Sequence, residues 1–330
     1  MHNRCIRTLK LNKTRNLPST KLANAFYGKD VISVKEFGRS DFEYLFETAD
    51  RVAQLEEDKR RKLLEGKILG LLFFEPSTRT RISFEAAMAA LGGNHIGFHE
   101  PHFSSAEKGE NLADTVKTME CYADILVLRH PNEGAAKFAS EVASIPVING
   151  GSGTEEHPTQ AILDLYTILK EKGTIDNLNI GVVGDLKYGR TVYSLLYALS
   201  QYSPKVHLVS PPLLRIRKEA LYTINSKIKI TEHENLGDVV ECLDVLYVTR
   251  IQKERFPDLQ EYDKVRGSYL INNELLKKAK DDLIVLHPLP RIDEIAPEVD
   301  NTKQAKYFKQ AYYGKIVREA LLSLILKKDF

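Results

Sequence analysis

The sequence predicts an α/β protein of two doubly wound parallel-sheet domains, with the active site in the cleft between them. Three observations carry this. Short continuous apolar runs, 68–74 the clearest, alternate with segments of helical period, the pattern of parallel strands covered on both faces. The alternation breaks near 173–178 and restarts at Asn179. At 330 residues the chain is also long for a single core.

Composition narrows the class. An apolar fraction of 43% and a charged fraction of 28% are those of a soluble globular protein. The net charge of +2 gives no global field toward nucleic acid or an anionic membrane, so neither is an expected partner. Anion recognition must then come from local clusters. Cys5, Cys121 and Cys242 lie far apart without C-x-x-C spacing. That argues against a disulfide framework or a zinc site and fits a reducing compartment. No apolar run is long enough to span a bilayer.

Taken in order, residues 1–29 contain seven Lys or Arg, no Asp or Glu and no sustained apolar core. They are not a secretory signal; they read as an organelle-targeting segment or a disordered tail, and stand outside the fold. A helix is expected over 40–64, with Ser40 and Glu43 as a capping box and Phe42, Leu45, Phe46, Ala49, Val52 and Ala53 on one face. The strand 68–74 ends at Pro76. Ser77 or Thr78 then caps a helix over 79–91 that closes at Gly92-Gly93. A strand at 95–98, a polar loop over 100–110 and a helix over 111–122 follow. The strand 124–128 leads to Arg129-His130-Pro131, a helix to 133–143 and a strand to 146–149. A glycine-rich loop over 150–153 then enters His157-Pro158-Thr159-Gln160 and a helix to Lys170.

The second series repeats the pattern. Strands are expected at 180–183, 206–209, 228–230, 244–249 and 283–286. Helices are expected from Arg190 to about 201, over 213–225 and over 273–280. A closing helix over 315–326 carries Ile316, Val317, Ala320, Leu321, Leu324 and Ile325.

In open α/β sheets, ligands bind outside the carboxyl ends of the strands. Six predicted strands end in polar or basic clusters: Ser77 to Arg81, Arg129-His130, the loop into His157 and Gln160, Lys187 to Arg190, Arg250 to Gln252, and His287 to Arg291. Unpaired N–H groups and the positive dipole end attract anions to a helix start, and Arg79 adds a fork suited to phosphate or carboxylate. Arginines gathered at one edge of two sheets predict a polyanion, or two anions, held between the domains. Taken singly, each cluster has a plainer reading: a solvated arginine, a flexible glycine turn, or a histidine satisfied within its helix start. Gly181 and Gly184 to Gly189 do not keep the G-x-G-x-x-G spacing, and no P-loop is present. His99 and His102 lack a third ligand at a suitable spacing. No Ser-His-Asp order or activated cysteine stands out. The equipment suits stabilising a tetrahedral oxyanion and a phosphate leaving group without a covalent intermediate.

Ser77-Thr78-Arg79-Thr80-Arg81 resembles the carbamoyl-phosphate signature of the aspartate and ornithine carbamoyltransferases, and the similarity runs from about Asp30 to the C-terminus. His287-Pro288-Leu289-Pro290-Arg291 and Arg250-Ile251-Gln252 fit the aspartate branch; ornithine enzymes typically carry a cysteine where Pro288 stands. The resemblance implies transfer of a carbamoyl group from carbamoyl phosphate to L-aspartate in pyrimidine synthesis, with no cofactor and no metal. It divides the chain into the extension 1–29, a carbamoyl-phosphate-binding domain 30–158 completed by 307–330, and an aspartate-binding domain 159–306.

By the same resemblance, Ser77, Thr78, Arg79, Thr80 and Arg129 would hold the phosphate. Thr80, Arg129 and His157 would polarise the carbonyl. Gln160 and the backbone of Pro288 and Leu289 would orient the carbamoyl amine. Arg190, Arg250 and Gln252 would bind the aspartate carboxylates. Ser104 and Lys108 match a loop that reaches a neighbouring subunit's site, which implies a homotrimer. Glu75 would pair with Arg190 and Arg255 on domain closure. Regulatory chains or pathway enzymes are possible further partners. The expected location is cytoplasmic, or a plastid or other organelle if 1–29 is a targeting segment. The loop Asn149-Gly150-Gly151-Ser152-Gly153 departs from the family's usual Asn-Ala-Gly-Asp/Asn-Gly, and Tyr313 stands where many relatives have Asn. The alternatives are another transcarbamylase, such as the ornithine enzyme, or a non-catalytic scaffold relative that binds carbamoyl phosphate.

Overall fold

The computed structural model describes residues 24–98, 109–153, 156–256 and 258–330. Ser104, Lys108, His99, His102, most of the 100–110 loop and residues 1–23 lie outside the described residues.

Strands β1 (Ile68–Phe73), β2 (Asn94–Phe98), β3 (Ile125–His130) and β4 (Val147–Ser152) form a parallel sheet in the order β2-β1-β3-β4. Strands β5 (Asn179–Val183), β6 (Lys205–Val209), β7 (Lys229–His233), β8 (Val245–Val248) and β9 (Ile284–Leu286) form a second, in the order β7-β6-β5-β8-β9. Both sheets are wound outward in two directions from a central pair. The order reverses between β1 and β3 in the first sheet and between β5 and β8 in the second, and such switch points open crevices at the carboxyl ends.

Side-chain alternation explains the layers. Leu69, Leu71 and Phe73 point into one core, and Leu72 into another against Leu126, Leu128 and Val147. Helices α4 (Leu112–Glu120) and α5 (Ala135–Val142) cover that second face. The first face meets α1 (Arg39–Gln54), α3 (Thr78–Ala90), α6 (Pro158–Lys172) and the closing helix α11 (Tyr307–Leu326). The same core continues through α7 (Arg190–Leu199) to Ile180, Val182, Val245 and Tyr247 of the second sheet. Every residue of α6 from Pro158 to Ile168 is buried, because this helix packs against both halves.

The structure corrects several sequence expectations. The helix expected over 40–64 ends at Gln54, and the short α2 (Glu57–Arg60) follows. Leu55 turns extended and the chain reverses, so that Leu64 is buried with its N–H on the Leu91 carbonyl. The cap is not Ser40 but Gly38, whose N–H donates to Asp41 Oδ2 at 2.8 Å. Arg129-His130 and Gly150 to Ser152 are strand, not loop, because Phe73 pairs with Arg129 and His130 with Ser152. The helix expected over 213–225 splits into a 3-10 turn, Pro212–Leu214, and α8 (Lys218–Asn225). Residues 24–29 also belong to the fold. Asn24 Nδ2 donates to the carbonyls of Leu324 and Lys327, and Phe26 is buried against Phe37 and Tyr44.

Candidate active site

Four strand ends meet at the two switch points. Pairing of Phe73 with Arg129 sets Arg129 beside the turn that follows β1, and Phe74 N–H donates to its carbonyl at 2.8 Å. The next residue, Glu75, accepts from Arg129 Nη2 at 2.6 Å and from Arg190 Nη2 at 2.8 Å, both on Oε1. Arg190 opens α7 on the other sheet, so one carboxylate bridges the domains. Burial pushes the Glu75 carboxyl up, but the charges of Arg129, Arg190 and Arg255 outweigh it and hold the group below the usual carboxylate range. Burial and the Arg190 charge push the Arg129 guanidinium down to about 10, so it stays cationic at neutral pH.

Backbone carbonyls complete the cluster. Arg129 Nη1 donates to Gly150 O at 3.1 Å and Arg190 Nη1 to Gly153 O at 2.9 Å. Arg255 Nη2 reaches the same Gly153 oxygen at 3.4 Å. Between them Gly151 adopts φ +113°, and a Cβ there would lie 2.8 Å from Arg129 Nη1 and 3.3 Å from both Arg190 Cζ and His157 Cδ2. Only glycine lets these three site groups close on one another. Gly151→Ala is therefore expected to destabilise the protein by about 1–3 kcal/mol, read as a lower Tm. An unchanged Tm would contradict the packing described.

His157 precedes α6 and is buried. Its N–H donates to Ser194 Oγ at 2.8 Å, and its Nε2 lies 3.3 Å from Thr80 Oγ1 in the first turn of α3. Burial, then the charges of Arg129, Arg190 and Arg318, hold the ring well below the usual histidine range. It is neutral at pH 7, a hydrogen-bonding group and not a cation. The unfolded chain therefore takes up a proton near pH 6.5 that the folded ring refuses. His157 contributes stability above that pH and loses it as pH falls below. The Tm of the parent relative to His157→Gln should thus fall between pH 7 and pH 5. A gap independent of pH would refute a depressed ring.

The remaining groups face them. The Ser77 hydroxyl does not cap α3. Partial burial and the Arg250 charge push the Arg79 guanidinium down, and the Arg79 charge in turn bears on His287. Arg79 of the first domain therefore confronts the β8 and β9 ends of the second. Arg250 and Gln252 are half-buried after β8, and Gln252 Oε1 accepts from Arg255 Nε at 3.3 Å. Half-buried Pro288 and Leu289 follow β9. Leu289, at φ 57°, donates its N–H to His287 Nδ1 at 2.7 Å. That bond leaves the proton on His287 Nε2, which donates to Glu294 Oε1 at 2.6 Å.

Two arginines from the sequence clusters take structural roles: Arg81 pairs with Glu85, and Arg291 forks onto Asp300. Sequence reasoning missed three carboxylate or hydroxyl anchors. Asp185 Oδ1 accepts the N–H groups of Lys187 and Tyr188, and its own N–H donates to Thr249 Oγ1 at 3.1 Å, tying the loop before Arg190 to the end of β8. Ser194 anchors His157, and Asp164 holds Gln160 Nε2 at 2.8 Å. The available signal was an acidic residue one turn after Gln160, set among Ala161, Ile162, Leu163 and Leu165.

Comparison with known proteins bears directly on this geometry. A model of the aspartate/ornithine carbamoyltransferase carbamoyl-P binding domain matches residues 29–170, and one of the Asp/Orn binding domain matches residues 176–325. The chain belongs to the aspartate/ornithine carbamoyltransferase family. Its relatives include the aspartate carbamoyltransferase catalytic subunits of Nitrosopumilus maritimus and Thermococcus kodakarensis. The first is 59% identical, covering 93% of this chain and 99% of the relative. The second is 55% identical, covering 91% and 97%. Among solved structures, the catalytic subunit of M. jannaschii aspartate transcarbamoylase superposes with a TM-score of 0.83 at 52% identity, covering 89% of this chain and 97% of that one. Trypanosoma cruzi aspartate transcarbamoylase, in complex with carbamoyl phosphate and aspartate, reaches a TM-score of 0.88 at 40% identity, covering 92% and 98%. The boundary between the two family domains falls just after α6, the helix that packs on both sheets.

Proposed function

We infer that the chain transfers the carbamoyl group of carbamoyl phosphate to the amino group of L-aspartate, giving N-carbamoyl-L-aspartate and phosphate for de novo pyrimidine synthesis. The observation that carries this reading is the Glu75 bridge, which brings an anion-binding helix start and Arg129 on one domain against Arg190 on the other. The identity with aspartate carbamoyltransferase catalytic subunits supports it.

The roles follow from the chemistry. Ser77, Thr78, Arg79, Thr80 and Arg129 bind the phosphate. Arg190, Arg250 and Gln252 bind the aspartate carboxylates. The aspartate amine attacks the carbamoyl carbon, and charge grows on the carbonyl oxygen. Thr80, Arg129 and neutral His157 stabilise that oxygen; one well-placed donor contributes about 3–4 kcal/mol. The bond from carbon to the phosphate oxygen then breaks, and the departing phosphate takes the amine proton. Two anionic substrates repel in water, so a basic cleft also offsets the cost of bringing them together.

Turnover with L-aspartate against L-ornithine tests the acceptor. Arg250 and Gln252 suit a second carboxylate, whereas the ornithine side chain is a cation. Faster use of ornithine would overturn the assignment. Ser104 and Lys108 complete a neighbour's site in a homotrimer. Inactive Arg79→Ala and Lys108→Ala chains, mixed, should then regain activity at hybrid interfaces, and no recovery would refute shared sites. Attachment of regulatory chains is tested by co-purification. A cytoplasmic location is proposed, to be tested by fusing residues 1–29 to a reporter; import into an organelle would replace it.

A further inference from the structure

Asp164, on α6, meets side chains of α11 and β8 and has no part in the chemistry above. It is fully buried, one turn along α6 from Gln160. Its Oδ1 accepts from Gln160 Nε2 at 2.8 Å and from Gln310 Nε2 of α11 at 2.6 Å, and its Oδ2 meets the Tyr247 hydroxyl of β8 at 2.9 Å. Gln310 in turn accepts the His287 N–H on Oε1 at 2.9 Å, at the start of the loop that carries Pro288 and Leu289.

This chain of contacts removes an ambiguity. A glutamine amide has a donor end and an acceptor end, and only its partners decide which faces where. Gln310 is settled first: His287 N–H can only donate, so Gln310 Oε1 faces it and Gln310 Nε2 faces Asp164. Asp164 Oδ1 is therefore an acceptor. Burial pushes this carboxyl up to about 7, yet the conclusion survives protonation, because a proton on Oδ2 would leave Oδ1 accepting. Gln160 must then turn its Nε2 inward to the same oxygen and its Oε1 outward. Gln160 sits one turn after His157, whose ring adjoins Thr80, so the outward end faces the cleft.

We propose that Asp164 is a positioning residue that locks Gln160 Oε1 toward the carbamoyl amine and so makes the site select a donor carrying NH2 over one carrying methyl. This rests on the reading that Gln160 meets the carbamoyl amine. The amine supplies a proton to Oε1. The methyl of acetyl phosphate supplies none and leaves a buried acceptor unpaired, the situation in which polar sites discriminate strongly.

The test is the ratio of dissociation constants for acetyl phosphate and carbamoyl phosphate, measured at pH 8 on the intact protein. Asp164→Leu keeps the branched shape but removes the acceptor. It should lower the ratio about tenfold, because Gln160 is then free to turn. Asp164→Asn keeps an oxygen acceptor for the two amides and can donate to Tyr247, so the ratio should stay within about threefold. Equal weakening of both ligands in Asp164→Leu, or loss of selectivity in Asp164→Asn, would overturn the proposal. Gln160→Ala separates the two layers. If it leaves the ratio unchanged, the reading of Gln160 fails; if it lowers the ratio and Asp164→Leu does not, only the role of Asp164 fails. Should Asp164→Leu not fold, neutron diffraction of the unaltered protein decides. Deuterons on Gln160 Nε2 aimed at Asp164 are expected, and deuterons aimed into the cleft would overturn the proposal.

Discussion

Arg79→Ala is expected to lower kcat by about 10²–10³-fold while leaving the Tm within about 1–2 °C of the parent. Arg79 occupies the first turn of α3, where backbone N–H groups already favour an anion. Unlike Arg81 and Arg291, it is not paired with a carboxylate among the described residues. The residue is exposed and its guanidinium only partly covered, so truncation opens no closed cavity and strands no buried partner. The loss falls on the phosphate, where charge accumulates as the carbon–oxygen bond breaks. Steady-state kinetics with both substrates and a thermal melt check the two halves together. A kcat reduced less than threefold would remove Arg79 from the chemical step.

Glu75→Gln should lower kcat/KM for aspartate by about 10–100-fold, with KM for carbamoyl phosphate changing less. The Glu75 carboxylate sits 2.6 Å from Arg129 and 2.8 Å from Arg190, whose side chains are about nine-tenths buried. Removing its charge leaves two guanidiniums repelling each other across the domain boundary. Glu75 is itself 25% exposed, so water screens part of the effect, and the estimate stops short of a fully buried pair. Aspartate should suffer more because Arg190 belongs to the second domain and depends on Glu75 to stay over the cleft. Equal losses for both substrates would mean that Glu75 supports the fold and not the alignment of the domains.

Much of this was legible in the chain. Apolar runs in parallel sheets are continuous because both faces are covered, so the nine strands among the described residues each have a counterpart in the periodicity. The phosphate-binding turn was legible for a local reason: Pro76, Ser77, Thr78 and Arg79 are consecutive, and a strand-to-helix turn is made by neighbours in sequence. Helix ends were less so. The break after Gln54 has no glycine or proline to announce it and follows from the burial of Leu64 beneath Leu91. Gly150 to Ser152 look like a loop by composition, yet β3 supplies a pairing partner that overrides weak strand propensity.

Residue type and short spacing suffice for the two parallel-sheet units, the anion-seeking start of α3 and the excess of arginine at strand ends. Tertiary packing selects which arginines form the cleft. Arg81 and Arg291 are withdrawn by Glu85 and Asp300, whereas Arg129 and Arg190 meet at Glu75. It alone decided that Asp164 orients Gln160, because the partners lie on α6, α11 and β8, as many as 146 residues apart. The physical reason is the same in both cases. A charge or an amide takes its state from whatever packing brings within about 3 Å, and strand order, not spacing along the chain, chooses those neighbours.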